Sequence, residues 1–106
     1  MVEEHAGRAV LRRVFEEAGF AVVEDYLLPI AGTMVRLDGF DPDRRTGYEY
    51  ITTADGDREE LHERIVAELD RLNANGELRL LLVDEQFIPD ADTLMAAARV
   101  FLGLDG

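Results

Sequence analysis

The stretch Val35-Arg-Leu-Asp38-Gly-Phe-Asp41-Pro-Asp43-Arg-Arg-Thr-Gly-Tyr-Glu49-Tyr-Ile51 decides the fold. Residues 33–40 and 46–53 alternate and are rich in β-branched and aromatic side chains, whereas the Asp-Pro-Asp-Arg-Arg between them is turn chemistry, with proline suited to the second turn position. Two antiparallel strands are predicted. With a loop of Pro42 to Arg45, Asp41 pairs with Thr46, and the same register sets Asp38 opposite Glu49 and Arg36 opposite Ile51. Opposed side chains on one face bring their Cβ atoms to roughly 5 Å, and like charges at that distance oppose pairing. A cation between them removes the penalty, and two hard carboxylates suit Mg²⁺ or Ca²⁺. A three-residue loop with a bulge puts Tyr48 opposite Asp38 instead. Carboxylates near the end of an edge hairpin can also simply face water, where screening weakens their repulsion.

Working outward, residues 3–18 place Ala6, Val10, Leu11, Val14, Phe15 and Ala18 at helical spacing, with Glu3 and Glu4 at the favourable N-terminal end and Gly19 as a stop. Phe20 to Leu28 reads as a strand, with a Pro29-Ile-Ala-Gly32 turn leading into the hairpin. After the hairpin, Asp57-Arg-Glu-Glu60 has the form of a capping box, and Leu61, Ile65, Leu69 and Leu72 form one stripe of a helix that ends at Asn75-Gly76. Leu78 to Val83 is so apolar that it reads as a central strand covered on both faces, with Leu80 and Leu82 buried. Pro89-Asp-Ala-Asp92 opens a last helix, with Leu94, Ala97, Ala98 and Phe101 inward and Gly103 ending it.

The order is α-β-β-β-α-β-α, and the crossover helix makes the third and fourth strands parallel. The expected fold is α/β, a mixed central sheet with flanking helices, in a single domain over residues 1–106. No linker, low-complexity segment or internal repeat interrupts it.

Composition narrows the function. The 106 residues carry a formal net charge of −12, which repels a polyanion, so nucleic acid is disfavoured as a partner. All eleven basic residues are arginine, which stays charged and cannot act as a tunable base. The absence of cysteine removes disulfides, thiolate catalysis and Cys-ligated zinc. No apolar run is long enough to cross a bilayer and the N-terminus lacks the order of a secretory signal, so a cytoplasmic location without membrane attachment is expected.

Asp38, Glu49 and the element order together resemble the PD-(D/E)XK nuclease-like superfamily, with its restriction-endonuclease-like fold. The resemblance covers roughly residues 3–84 in element order, and its specific part is confined to Asp38, Glu49 and their surroundings. It implies that these two acids hold a divalent metal, Mg²⁺ in an active enzyme, that activates water against a phosphodiester. The family's lysine, two residues after the glutamate, is replaced by Ile51, and an aliphatic side chain cannot orient water or stabilise a pentavalent phosphate. Arg36 is the natural substitute in the register above. Glu4 matches the extra glutamate that some members add from the first helix, although a first-turn glutamate is also an ordinary helix-dipole partner.

Other acids and bases have plainer readings. Asp41 and Asp43 are turn residues, Asp84-Glu85 is a surface pair at the C-terminal end of a strand, and Arg44 and Arg45 form a solvated loop tip. His62-Glu63-Arg-Ile-Val66 begins like a zinc-protease helix but has Val66 where the second histidine belongs, and His5 and His62 are isolated helix residues. Three functions remain open. The favoured one is a catalytically degenerate nuclease-like domain acting as a binding or protein-interaction module, self-association included. The others are an active metal-dependent nuclease using Asp38, Glu49 and Arg36, and an acidic adaptor or inhibitor of a basic protein.

Overall fold

The computed structural model describes residues 2–52 and 63–104. Its elements are α1 (Glu4–Glu17), β1 (Val23–Ile30), β2 (Thr33–Asp41), β3 (Thr46–Ile51), α2 (Glu63–Ala74), β4 (Arg79–Asp84), a 3₁₀ turn (Glu85–Phe87) and α3 (Ala91–Leu102). The predicted order α-β-β-β-α-β-α is therefore present. The capping box at Asp57–Glu60, and His62, lie outside the described residues.

The four strands form one mixed sheet in the order β1-β2-β3-β4. β1 and β2 are antiparallel, as are β2 and β3, and the crossover through α2 makes β3 and β4 parallel. Glu3 caps α1, its carboxylate accepting the backbone N–H groups of His5 and Ala6. β1 runs further than its sequence suggests. Pro29 lies inside it, which is tolerated because β1 is an edge strand. The chain reverses only at Ala31-Gly32, where both residues have positive φ and Ile30 pairs with Thr33, the geometry of a two-residue hairpin.

Each face of the sheet is covered by a separate core. On one side Leu11, Val14 and Phe15 of α1 and Leu94 and Ala98 of α3 pack over Tyr48, Tyr50 and Val83. Phe15 lies at its centre, with ring centroids 4.9 Å from Tyr48 and 6.1 Å from Phe101. On the other side Ile65 and Leu69 of α2 pack over Leu28, Ile30, Val35, Leu37, Phe40, Leu78 and Leu80.

This two-sided cover accounts for the apolar sequence of β4, but its position corrects the sequence reading. β4 is an edge strand, not a central one. Of the two leucines expected to be buried, Leu80 is buried, whereas Leu82 is half-buried. The outward-pointing N–H of Leu80 is accepted by the side-chain oxygen of Asn73, at the end of α2, at 2.9 Å. Among the described residues no helix is long and apolar enough to cross a membrane.

Candidate functional site

At its turn the β2–β3 hairpin has the predicted register: Asp41 pairs with Thr46, Phe40 with Gly47 and Gly39 with Tyr48. Glycine is required at the second and third of these pairs. A Cβ on Gly47 would overlap the carbonyl oxygen of Gly39, and one on Gly39 would overlap the ring of Tyr48. Asp41 is buried, and its carboxylate accepts three backbone N–H groups, from Ala21 at 3.0 Å, Asp43 at 3.0 Å and Arg44 at 3.1 Å. Burial by itself would raise the Asp41 pKa, but these N–H donors, helped by the Arg44 charge, hold it below the ordinary carboxylate value. The turn reading of Asp41 and Asp43 thus accounts for their positions.

The loop-tip arginines are not merely solvated. Arg44 donates to the Gly19 carbonyl at 2.7 Å and lies over the Phe20 ring, and Arg45 donates to the Glu77 carbonyl at 3.0 Å. They tie the turn to the end of α1 and to the start of β4.

Beyond Gly39 the ladder between β2 and β3 stops. Asp38 is 2 % exposed, and its Oδ2 accepts the N–H of Tyr50 at 2.7 Å, so a side chain supplies an acceptor where the strand's own carbonyl would otherwise serve. Its other oxygen lies 3.6 Å from Nε of Arg8 on α1. Glu49 is 1 % exposed. Its neighbours Tyr48 and Tyr50 both belong to the core under α1 and α3, and it pairs with Leu82, which packs in the core under α2. Strand alternation therefore puts Glu49 on the α2 side, while Asp38 lies toward α1.

The expectation that the two carboxylates face each other is corrected by this geometry. The cause lies in β2, where Leu37 and Phe40, three residues apart, both pack into the α2-side core. Regular alternation cannot satisfy both, so the strand changes facing across Asp38-Gly39. Two carboxylates on opposite faces of a sheet do not fit one shared Mg²⁺, and among the described residues no group of three or more His, Asp or Glu side chains is placed to hold a metal.

The remaining predicted residues fall elsewhere. Arg36 does not meet Ile51. It lies 4.0 Å from Asp25 on the α1 side of the β1–β2 hairpin, whereas Ile51 packs toward α2. Glu4 is 3.7 Å from Arg8, one helical turn on. Asp84 is half-buried and accepts the N–H of Gln86, and Glu85 opens the 3₁₀ turn. His5 is exposed.

Sequence reasoning missed Arg8. Its guanidinium reaches Asp25 at 3.1 Å, Glu24 at 3.6 Å and the backbone carbonyl of Asp38 at 3.4 Å, as well as the carboxylates of Asp38 and Glu4. Burial works against its charge, but Asp38, Asp25 and Glu4 outweigh that and hold it more firmly protonated. Asp25 has a φ of +52°, a costly conformation for a non-glycine residue. Glu4, Arg8 and Arg12 of α1 and Glu24, Asp25 and Arg36 of the β1–β2 hairpin line an open groove of about 580 Å³ between the two elements. The Glu4–Arg8 spacing is visible in the sequence as an i,i+4 pair, but Glu24, Asp25 and Asp38 reach Arg8 only through the tertiary fold. Tyr48, buried beside the Asp38 carboxylate, has its pKa pushed far above the usual phenol value, chiefly by burial.

No known family model matches the sequence, and neither a curated protein nor a solved structure matches it.

Proposed function

We propose that this chain is a non-catalytic, nuclease-like domain that serves as a protein-interaction module. The restriction-endonuclease-like part of this reading is supported by the element order, by the antiparallel β1-β2-β3 run and by the parallel β3/β4 pair joined through a helix. Its non-catalytic part rests on one observation above all. Asp38 is committed to the Tyr50 N–H and to Arg8 on one side of the sheet, while Glu49 is buried on the other. Acids so divided cannot position one metal-bound water against a phosphodiester. Arg36, ion-paired to Asp25 on the α1 side of the sheet and away from Glu49 and Ile51, does not supply the missing lysine.

The test is direct. The purified chain is incubated with single-stranded and duplex DNA and RNA in Mg²⁺ and in Mn²⁺, beside Asp38→Ala, Glu49→Ala and Arg36→Ala. No cleavage above the buffer control is expected from any of the four. Cleavage by the parent that disappears in all three variants would establish the nuclease instead.

A further inference from the structure

The connection from β4 to α3 carries the most exposed large apolar side chain among the described residues. Phe87, in the 3₁₀ turn, is 78 % exposed. Its position is fixed by its neighbours. Asp84 caps the turn through the Gln86 N–H at 2.9 Å, and the Ile88 N–H closes it on the Glu85 carbonyl at 3.2 Å. Ile88 is buried in the core under α1 and α3, and Asp90 caps α3 through the Thr93 N–H at 2.8 Å. With Ile88 held inward and a cap on either side, the ring of Phe87 is presented outward on a short, pinned segment. The ordering cost of displaying it is met within the fold, which is what an efficient docking anchor requires.

The sequence on both sides of this ring is acidic. Between Arg79 and Arg99 the chain has no basic residue and four acids, Asp84, Glu85, Asp90 and Asp92. The start of α1 adds to them in space. The Tyr50 hydroxyl donates to the Val2 carbonyl at 2.5 Å, and its pKa is raised first by burial and then by the nearby charges of Glu85, Asp84 and Glu3. Among the exposed apolar residues of the sheet, Leu27 and Met34 lie beside Arg36, Leu27 as its partner across the β1–β2 register, and Arg36 lines a groove of mixed arginines and carboxylates, so no single charge sign selects a partner there.

We infer that the Asp84–Asp92 connection is a docking surface for a basic protein segment, with Phe87 as the apolar anchor and the surrounding carboxylates as the charge-selective rim. The inference rests on the interaction-module reading and names its partner class. Aromatic anchors dominate the energy of small interfaces, and rim charges set partner choice and encounter rate. A polyanion is refused by the same charges.

The probe is a labelled cationic amphipathic peptide, arginines on one helical face and leucines on the other, titrated with the intact chain and followed by fluorescence anisotropy. The parent should bind it, with an affinity that falls as salt is raised. Phe87→Ser should weaken binding roughly tenfold or more, with an unchanged Tm because the ring is largely outside the core. Asp92→Asn should weaken it less and flatten the salt dependence. Backbone amide shifts should move at residues 84–92. Equal affinity for Phe87→Ser, or equal binding of an all-arginine peptide without leucines, would overturn the anchor. Equal binding of an acidic amphipathic peptide would overturn the charge selection. Shifts confined to Leu27 and Met34 would overturn this surface and leave the module reading intact, whereas metal-dependent cleavage would overturn the module reading without affecting the peptide titration.

Discussion

At its turn, the β2–β3 hairpin is held by a saturated carboxylate, two glycines in close contact and two arginine straps; three residue pairs later the same strands no longer share a ladder. Asp41 and Asp38 show the difference. Each is a buried aspartate on β2, but Asp41 accepts three backbone N–H groups close to it in the fold, two of them within three residues in sequence. Asp38 accepts the Tyr50 N–H across the strands and leans on an arginine thirty residues away. Local hydrogen bonds determine the turn end, and the demands of two cores determine the open end. Acidic residues on neighbouring strands are therefore not a site merely because a register would align them.

The largest effect should separate the two ends through β4. Leu80 pairs with Gly47 near the turn and is buried, whereas Leu82 pairs with Glu49 at the open end and is half-buried. Leu80→Ala should cost about 3 kcal/mol in denaturant melts, within the range for buried leucines, and Leu82→Ala about 1 kcal/mol. Equal costs would mean that the open end is packed as tightly as the turn.

Asp41→Ala should follow, at about 2 kcal/mol, because three N–H donors lose their acceptor. The pH dependence has a definite sign. The folded pKa of Asp41 is lowered, so its contribution is fully present above the unfolded value near pH 4 and is lost as the pH falls through the folded value. An Asp41→Asn variant should lose less stability than the parent as pH is lowered across that range, and identical acid limbs would remove Asp41 from the account.

Asp38→Ala should have the smallest effect, about 1 kcal/mol, as the Tyr50 N–H loses its carboxylate acceptor. Its signature is local. Hydrogen exchange at the Tyr50 amide should accelerate more than exchange at the amides near the turn. A cost exceeding that of Asp41→Ala would reverse the ranking of the two ends.

Much of this fold is legible in the chain. Helical stripes, the Asp-Pro-Asp turn and the length of the crossover give the element order and strand directions, because each depends on residues within a few positions. The pairing of Asp41 with Thr46 is legible for the same reason. The facing of Asp38 and Glu49 is not, since it depends on Leu37 and Phe40 both entering the core under α2. The place of β4 escaped as well, because helices on both faces give an edge strand the composition of a central one. Arg8 carries no sequence signal beyond its spacing from Glu4, and only the fold brings Asp38, Glu24 and Asp25 to it.

The hydrogen bond from the Leu80 amide to Asn73 has a consequence for the chain in company with its own copies. Arg-Leu-Leu-Leu-Val-Asp over residues 79–84 is an apolar β-forming hexapeptide, and an open edge of that composition is a template on which other strands add. A single amide side chain occupies one of the outward donors that an added strand would need. Loss of that side chain would then be felt less in the melting of the folded domain than in the yield of refolding at high protein concentration, where turbidity would rise with a steep dependence on concentration.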